Sequence, residues 1–138
     1  MPRSSKGIAK LLGIRAAPLT LPFLSAVSAG LPVTALHRLA RALAPRDRDF
    51  AFRLVRRSTL ARRRTRLTAK ESVRLARLAC AWDRALAVWR REDLARMFLF
   101  RAHPSLEGKR PVDVILSSEF GRPLVEDILG RLSHGTAP

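Results

Sequence analysis

The residues with the clearest chemistry in this 138-residue sequence are arginines. The stretch RRSTLARRRTRLTAKES, residues 56–72, holds six arginines and one lysine. A planar guanidinium binds phosphate or the edge of guanine through two hydrogen bonds, which an ammonium group cannot do. Residues 46–66 hold nine arginines and two aspartates, a net charge of +7 (9 − 2). Because same-sign crowding costs stability unless a polyanion neutralises it, this block predicts a phosphate-binding surface.

The charge of the whole chain supports the same interpretation. Its 27 Lys and Arg residues against 11 Asp and Glu give a net charge of +16, which favours a polyanionic partner, nucleic acid first. An acidic protein partner and a general genomic preference for arginine remain as alternatives. The DNA-binding candidates are Arg53, Arg56, Arg57, Ser58, Thr59, Arg62, Arg63, Arg64 and Arg66.

The sequence holds no catalytic pattern. His37, His103 and His134 lie far apart without metal-ligand spacing, and there is no P-loop, nucleophile elbow or paired-carboxylate motif. Cys80 is the only cysteine and lies in an apolar helical pattern, which fits a small buried side chain and a reducing compartment. We therefore expect a cytoplasmic protein that is not an enzyme and needs no cofactor or metal.

Short helices are predicted to carry the arginines. Apolar residues recur at i, i+3, i+4 and i+7 from Leu36 to Leu43, which predicts an amphipathic helix that ends near Pro45. A second short helix is predicted over residues 47–53, and a third begins at STLARRR with Ser58 as its N-cap. Three short helices in this order have the outline of a helix-turn-helix.

Residues 1–29 imitate a secretory signal, because basic residues precede the stretch AAPLTLPFLSAVSAG. Pro18 and Pro22 interrupt that stretch, however, and it is too short to span a membrane. We interpret residues 1–29 as a basic, partly ordered arm, residues 30–66 as the helix-turn-helix-like region and residues 67–138 as a second helical region.

The second region should begin with the longest helix. Thr68 and Glu71 form a T-x-x-E capping box. The apolar stripe that follows is more typical of core or of a helix-pairing seam than of a ligand pocket, and arginines occupy its other side. Its members are Leu75, Leu78, Trp82, Leu86 and Trp89.

Three further helices are predicted after this one. REDLARMFLF is amphipathic, Pro111 stands in the first turn of the next helix, and Ser117 or Ser118 should cap the last helix. We expect that last helix to end at Gly135.

Two segments of this region carry a family resemblance. The run P-x-L-x-G-x-R-P-x-D spans 104–113, and EDILGRLSHG spans 126–135. Together with STLARRR, RLTAKES and the Trp-bearing helix, they resemble the Xre/MbcA/ParS family of antitoxins, the partners of RES-domain toxins. The resemblance covers roughly residues 30–135.

The resemblance implies an all-α antitoxin of a bacterial type II toxin–antitoxin system. Residues 30–66 would dimerise and bind operator DNA of the antitoxin's own promoter. Residues 67–138 would bind a RES toxin and obstruct its active site. RES toxins act on NAD, either degrading it or transferring ADP-ribose to a protein. The implied toxin-binding residues are Arg110, Asp113, Glu126, Asp127, Arg131, His134 and Gly135.

These residues also have ordinary structural explanations, as helix starts, solvent-facing charges and a helix stop. A basic nucleic-acid-binding protein of ribosomal or regulatory type, without a toxin partner, is the alternative function. The chain departs from the family pattern twice. Leu54-Val55-Arg56 replaces a glycine-containing turn, and His103 stands where an asparagine often precedes the proline.

Overall fold

In a computed structural model of the chain, residues 6–17, 20–63 and 65–135 are described. Over these residues the fold is all-α, as predicted, without a β-strand. The described helices are α1 (Lys6–Leu12), α2 (Leu21–Ala29), α3 (Val33–Leu43), α4 (Ala51–Leu54), α5 (Arg57–Arg62), α6 (Ala69–Trp89), α7 (Glu92–Phe100), α8 (Pro111–Ser117) and α9 (Gly121–Ser133). A single 3₁₀ turn, Pro104–Leu106, precedes α8.

Helix α6 is the centre of the molecule. It packs against α1, α2, α3 and α4 on the N-terminal side, and against α7, α8 and α9 on the C-terminal side. Leu75, Leu78, Trp82 and Leu86 of its predicted stripe are buried, whereas Trp89 is only half-buried. The buried apolar residues form one cluster from Ile8 to Leu129, so a single core supports the chain.

The predicted capping box begins α6. The Thr68 hydroxyl accepts a hydrogen bond from the backbone N–H of Glu71 (3.2 Å), and a Glu71 carboxylate oxygen accepts one from the backbone N–H of Thr68 (2.8 Å). The guanidinium of Arg63 donates to both carboxylate oxygens of Glu71, at 3.2 and 3.4 Å. Burial opposes ionisation here, but these hydrogen bonds outweigh it and lower the pKa of Glu71.

Residues 30–33 attach to the segment that leads into α6. The buried Ser72 hydroxyl accepts a hydrogen bond from the backbone N–H of Leu31 (2.8 Å). Backbone hydrogen bonds on either side of a bridge between Pro32 and Arg66 fix the register. Gly30 has φ +104°, and a Cβ there would lie 2.5 Å from the carbonyl oxygen of Leu67, so this approach requires glycine.

The sequence predicts a basic, partly ordered arm over residues 1–29, but the described part of this segment forms two packed helices, α1 and α2. Ile8 and Leu12 of α1 and Phe23 of α2 are buried. Pro22 stands in the first turn of α2, where proline has no N–H to lose, and the Thr20 hydroxyl caps that helix. Proline therefore starts this helix instead of interrupting it. None of the described helices is long and apolar enough to cross a membrane.

The helix-turn-helix region contains α3 as predicted, but the next helix is shorter than expected. Asp47 Oδ1 accepts a hydrogen bond from the backbone N–H of Asp49 (2.9 Å), and this turn delays the start of α4 until Ala51. Helix α5 begins at Arg57 without a side-chain cap, so the prediction that Ser58 is its N-cap was wrong. Val55 and Arg56 join the two helices with φ of −137° and −55°, which explains why this turn needs no glycine.

The last two helices follow the predicted order. Pro111 begins α8, but α9 begins at Gly121 without a side-chain cap, because the Ser118 hydroxyl accepts from the N–H of Phe120 in the turn before it. A Cβ at Gly121 would lie 1.9 Å from the carbonyl oxygen of Val114, so α9 can contact α8 this closely only through glycine. Gly135, with φ +73°, follows the end of α9 as expected.

The capping box gives a prediction for stability. Replacing Glu71 with alanine should lower the free energy of unfolding by about 1 kcal/mol, because the Thr68 N–H and Arg63 both lose their acceptor. Glu71→Gln keeps an acceptor for the backbone but loses the charge, so its loss should be smaller. Urea unfolding followed by circular dichroism measures both.

The pH dependence separates the two roles of Glu71. Its folded-state pKa is lowered, so its charge stabilises the fold above the unfolded value near 4.5 and stops doing so as the pH falls through the folded value. The native chain should therefore lose more stability on acidification than Glu71→Gln does. Equal acid losses in the two chains would contradict this assignment.

Candidate functional site

Helix α5 and the turn before it expose cationic side chains. No residue of α5 is buried. Arg56 and Arg62 are exposed, and no carboxylate of the described chain pairs with either. We call Arg56, Arg57 and Arg62 the arginine surface. At least two of its guanidinium groups are open to a phosphate.

Arg57 is held in place by an aromatic ring. Its guanidinium lies 4.1 Å from the ring centroid of Phe52, and one nitrogen lies 3.3 Å from a carboxylate oxygen of Asp49. The Arg57 and Asp49 side chains are 72% and 77% exposed, and an ion pair so exposed to water contributes little. The ring therefore orients Arg57 while its charge stays available to a partner.

The remaining DNA-binding candidates are placed differently. Arg63 pairs with Glu71, and Arg66 donates a hydrogen bond to the carbonyl oxygen of Gly30 (2.7 Å). Both guanidinium groups thus hold the segment before α6 in place. Ser58 is exposed and Thr59 is half-buried in the first turn of α5. Arg64 lies outside the described residues.

Asp113 joins a DNA-binding candidate to a toxin-binding candidate. Arg110 donates to both of its carboxylate oxygens, at 2.7 and 3.1 Å, and Arg53 pairs with the same carboxylate. The hydrogen bonds from Arg110, helped by Arg53, lower the pKa of Asp113 against the opposing effect of burial. The structure thereby brings together residues that the sequence had assigned to two different surfaces.

Arg74 and Arg77 reinforce this junction, although their sequence pattern suggested a solvent face. Arg74 donates to the carbonyl oxygens of Leu54 (2.7 Å) and Arg53 (3.2 Å) at the end of α4, and to that of Leu116 (3.4 Å) near the end of α8. Arg77 donates to Ile115 (3.3 Å). Neither α4 nor α8 is followed by glycine. A glycine after a helix lets backbone N–H groups bond the last carbonyl oxygens. Its absence was the sequence signal that these carbonyl oxygens have other partners, here arginine side chains.

The C-terminal candidates lie along α9. Arg122 contacts Glu126 at 3.0 Å and Arg131 pairs with Asp127, each within one turn of the helix. Glu126 and Asp127 thus have internal partners. His134 and Gly135 are exposed where the helix ends. We call Arg131, His134 and Gly135 the C-terminal surface.

His103 replaces the family's asparagine without loss of the local hydrogen bond. Its Nδ1 accepts from the backbone N–H of Ser105 (3.1 Å) and caps the 3₁₀ turn. An asparagine oxygen makes the same kind of bond at an N-cap.

The titratable groups of the described chain offer no reactive centre. Burial raises the pKa of the Cys80 thiol to about 11, so it stays protonated at neutral pH and is a poor nucleophile. No group of three His, Cys, Asp or Glu side chains is placed to hold a metal ion within the described ranges.

Comparison with protein families identifies both parts of the chain. The family described as "Antitoxin Xre-like helix-turn-helix domain" matches residues 22–79, and "Antitoxin Xre/MbcA/ParS C-terminal toxin-binding domain" matches residues 84–135. No curated protein matches the chain. The first match covers the arginine surface and ends within α6, and the second begins within α6 and covers the C-terminal surface. The chain therefore belongs to the Xre/MbcA/ParS family of antitoxins, with a helix-turn-helix domain followed by a toxin-binding domain.

Proposed function

We propose that this antitoxin neutralises a RES-domain toxin, which degrades NAD or transfers its ADP-ribose to a protein, by obstructing the toxin's active site with the C-terminal surface. The observation that carries this proposal is the match of residues 84–135 to a toxin-binding domain, which ends at Gly135 where α9 ends. The antitoxin itself performs no chemistry.

The structure of α9 suits such a role. Val125, Ile128 and Leu129 are buried in the core, so most of the helix is fixed. The exposed end then projects from a rigid base, which reduces the entropy lost when it enters a pocket. The backbone N–H groups of His134 and Gly135 already donate to the carbonyl oxygens of Gly130 and Leu132, so the groups that a helix end leaves over are carbonyl oxygens. Such oxygens can accept hydrogen bonds from the donors of a pocket shaped for a diphosphate, while the guanidinium of Arg131 can pair with an acidic group there. Arg131 and the backbone near Gly135 are therefore the proposed inhibitory contacts.

We further propose that the arginine surface binds the operon's own promoter. Its arginines lie on α5 and in the turn just before it, and α5 is the second helix of the helix-turn-helix, which enters the major groove in proteins of this architecture. We expect Arg56, Arg57 and Arg62, which are all exposed, to contact phosphates of the duplex. A homodimer would place two copies of α5 on successive half-sites of an operator.

Removing residues 133–138 tests the inhibitory contact. This deletion takes away His134 and Gly135 and leaves Ile128 and Leu129 in the core. With equimolar truncated chain, the toxin's residual NAD consumption should rise about tenfold or more over that with the full chain, because a few central contacts dominate an interface. Unchanged thermal unfolding and promoter binding are the controls. Full inhibition by the truncated chain would mean that His134 and Gly135 make no inhibitory contact.

The salt dependence of promoter binding tests the arginine surface. Arg56→Ala and Arg62→Ala should each weaken binding and lower the slope of log K against log salt by about 0.9, because one phosphate contact and its released counterion are lost. Arg84→Ala is the matched control, since it removes one exposed charge from α6 outside this surface. Fluorescence anisotropy with promoter DNA at several NaCl concentrations gives the slopes. A slope unchanged by both substitutions would mean that these side chains do not contact DNA.

A further inference from the structure

An apolar groove of about 280 Å³ opens between α7, the following loop and the end of α9. Met97 on its wall is 45% exposed although it is a large apolar side chain. The rings of Trp89 and Phe98 lie 6.3 Å apart, and those of Phe98 and His103 lie 6.0 Å apart. The groove is lined mainly by Trp89, Leu94, Met97, Phe98, His103 and Leu132.

The polar side-chain groups of this groove are described by the hydrogen bonds they can donate. The indole N–H of Trp89 is buried and has no acceptor among the described residues. Since His103 Nδ1 accepts from Ser105, the neutral ring carries its proton on Nε2 and presents a second donor. Arg101 adds an exposed guanidinium, and no carboxylate is among the described residues that line the groove. An occupant should therefore be apolar and bring acceptors or negative charge.

The position of the groove indicates which partner occupies it. Every lining residue falls within residues 84–135, the match to a toxin-binding domain. Leu132 belongs to the last turn of α9, between Arg131 and His134 of the C-terminal surface. The groove therefore lies beside the helix end that carries the C-terminal surface.

We propose that this groove receives a segment of the toxin in which a large apolar side chain is followed by a carboxylate. The apolar side chain covers Met97 and Phe98, and the carboxylate contacts Arg101. This inference rests on the proposed function and adds to it a second anchor, which holds the toxin while the C-terminal surface enters the active site.

A negative charge introduced at Met97 tests the groove. Met97→Glu places a carboxylate in the apolar wall, opposes both the apolar side chain and the carboxylate of the proposed segment, and should weaken binding of the toxin encoded beside this chain by about tenfold or more. Val73→Glu is the matched control, because Val73 is also a 45% exposed helical side chain but lies outside the groove. Its affinity should stay within about twofold of the native chain. Titration calorimetry with purified toxin measures both affinities, and circular dichroism checks the fold.

A second measurement observes the groove of the native chain directly. The chain has two tryptophans, so a ¹⁵N-labelled sample gives two indole N–H signals, which Trp89→Phe assigns. Adding unlabelled toxin should shift the Trp89 signal while that of Trp82, buried in the core, stays in place. A Trp89 signal that does not move in the complex would overturn the proposal.

The outcomes separate this proposal from the function on which it rests. A native chain that fails to bind the toxin would overturn both. Normal toxin binding by Met97→Glu would overturn the groove alone. If Met97→Glu instead dissociates a homodimer without weakening toxin binding, a second copy of the chain is the occupant and the proposal is wrong.

Discussion

Helix α6 buries apolar side chains against both halves of the chain, and the other helices take their positions from it. Ser72 near its start accepts a hydrogen bond from Leu31, and Trp82 further along lies in the shared core. One family match ends inside this helix and the other begins there, yet the core is one cluster. Because one rigid element supports both sides, the arginine surface and the C-terminal surface are held in a fixed relation to each other.

The junction beside α6 connects the two sides through charge. One carboxylate, Asp113, is shared by Arg53 from the helix-turn-helix and Arg110 from the toxin-binding domain, while Arg74 holds the ends of α4 and α8. A partner that draws Arg53 away leaves Asp113 with Arg110 alone. Any energetic coupling that results is reciprocal. If bound toxin changes the affinity of the chain for DNA by some factor, bound DNA must change its affinity for the toxin by the same factor.

The sequence predicted those structural features that depend on residues close together along the chain. The capping box of Thr68 and Glu71, the amphipathic α3 and the stop at Gly135 all follow from residues within one or two turns. The sequence could not show that Arg63 would turn toward Glu71, or that Arg74 would reach the carbonyl of Leu116 forty-two positions away, since those contacts exist only after the helices pack. The site residues stay predictions for the same reason, because their partners lie outside this chain.

The most direct test of this account is the NAD consumption of the complex. The chain is purified together with the product of the adjacent gene, and the rate of NAD loss is compared with that of the same product alone. If the chain neutralises this product as proposed, the two form a stable complex whose NAD consumption falls to background. A complex that consumes NAD as fast as the free toxin, or recovery of the chain with nucleic acid and without that protein, would contradict it.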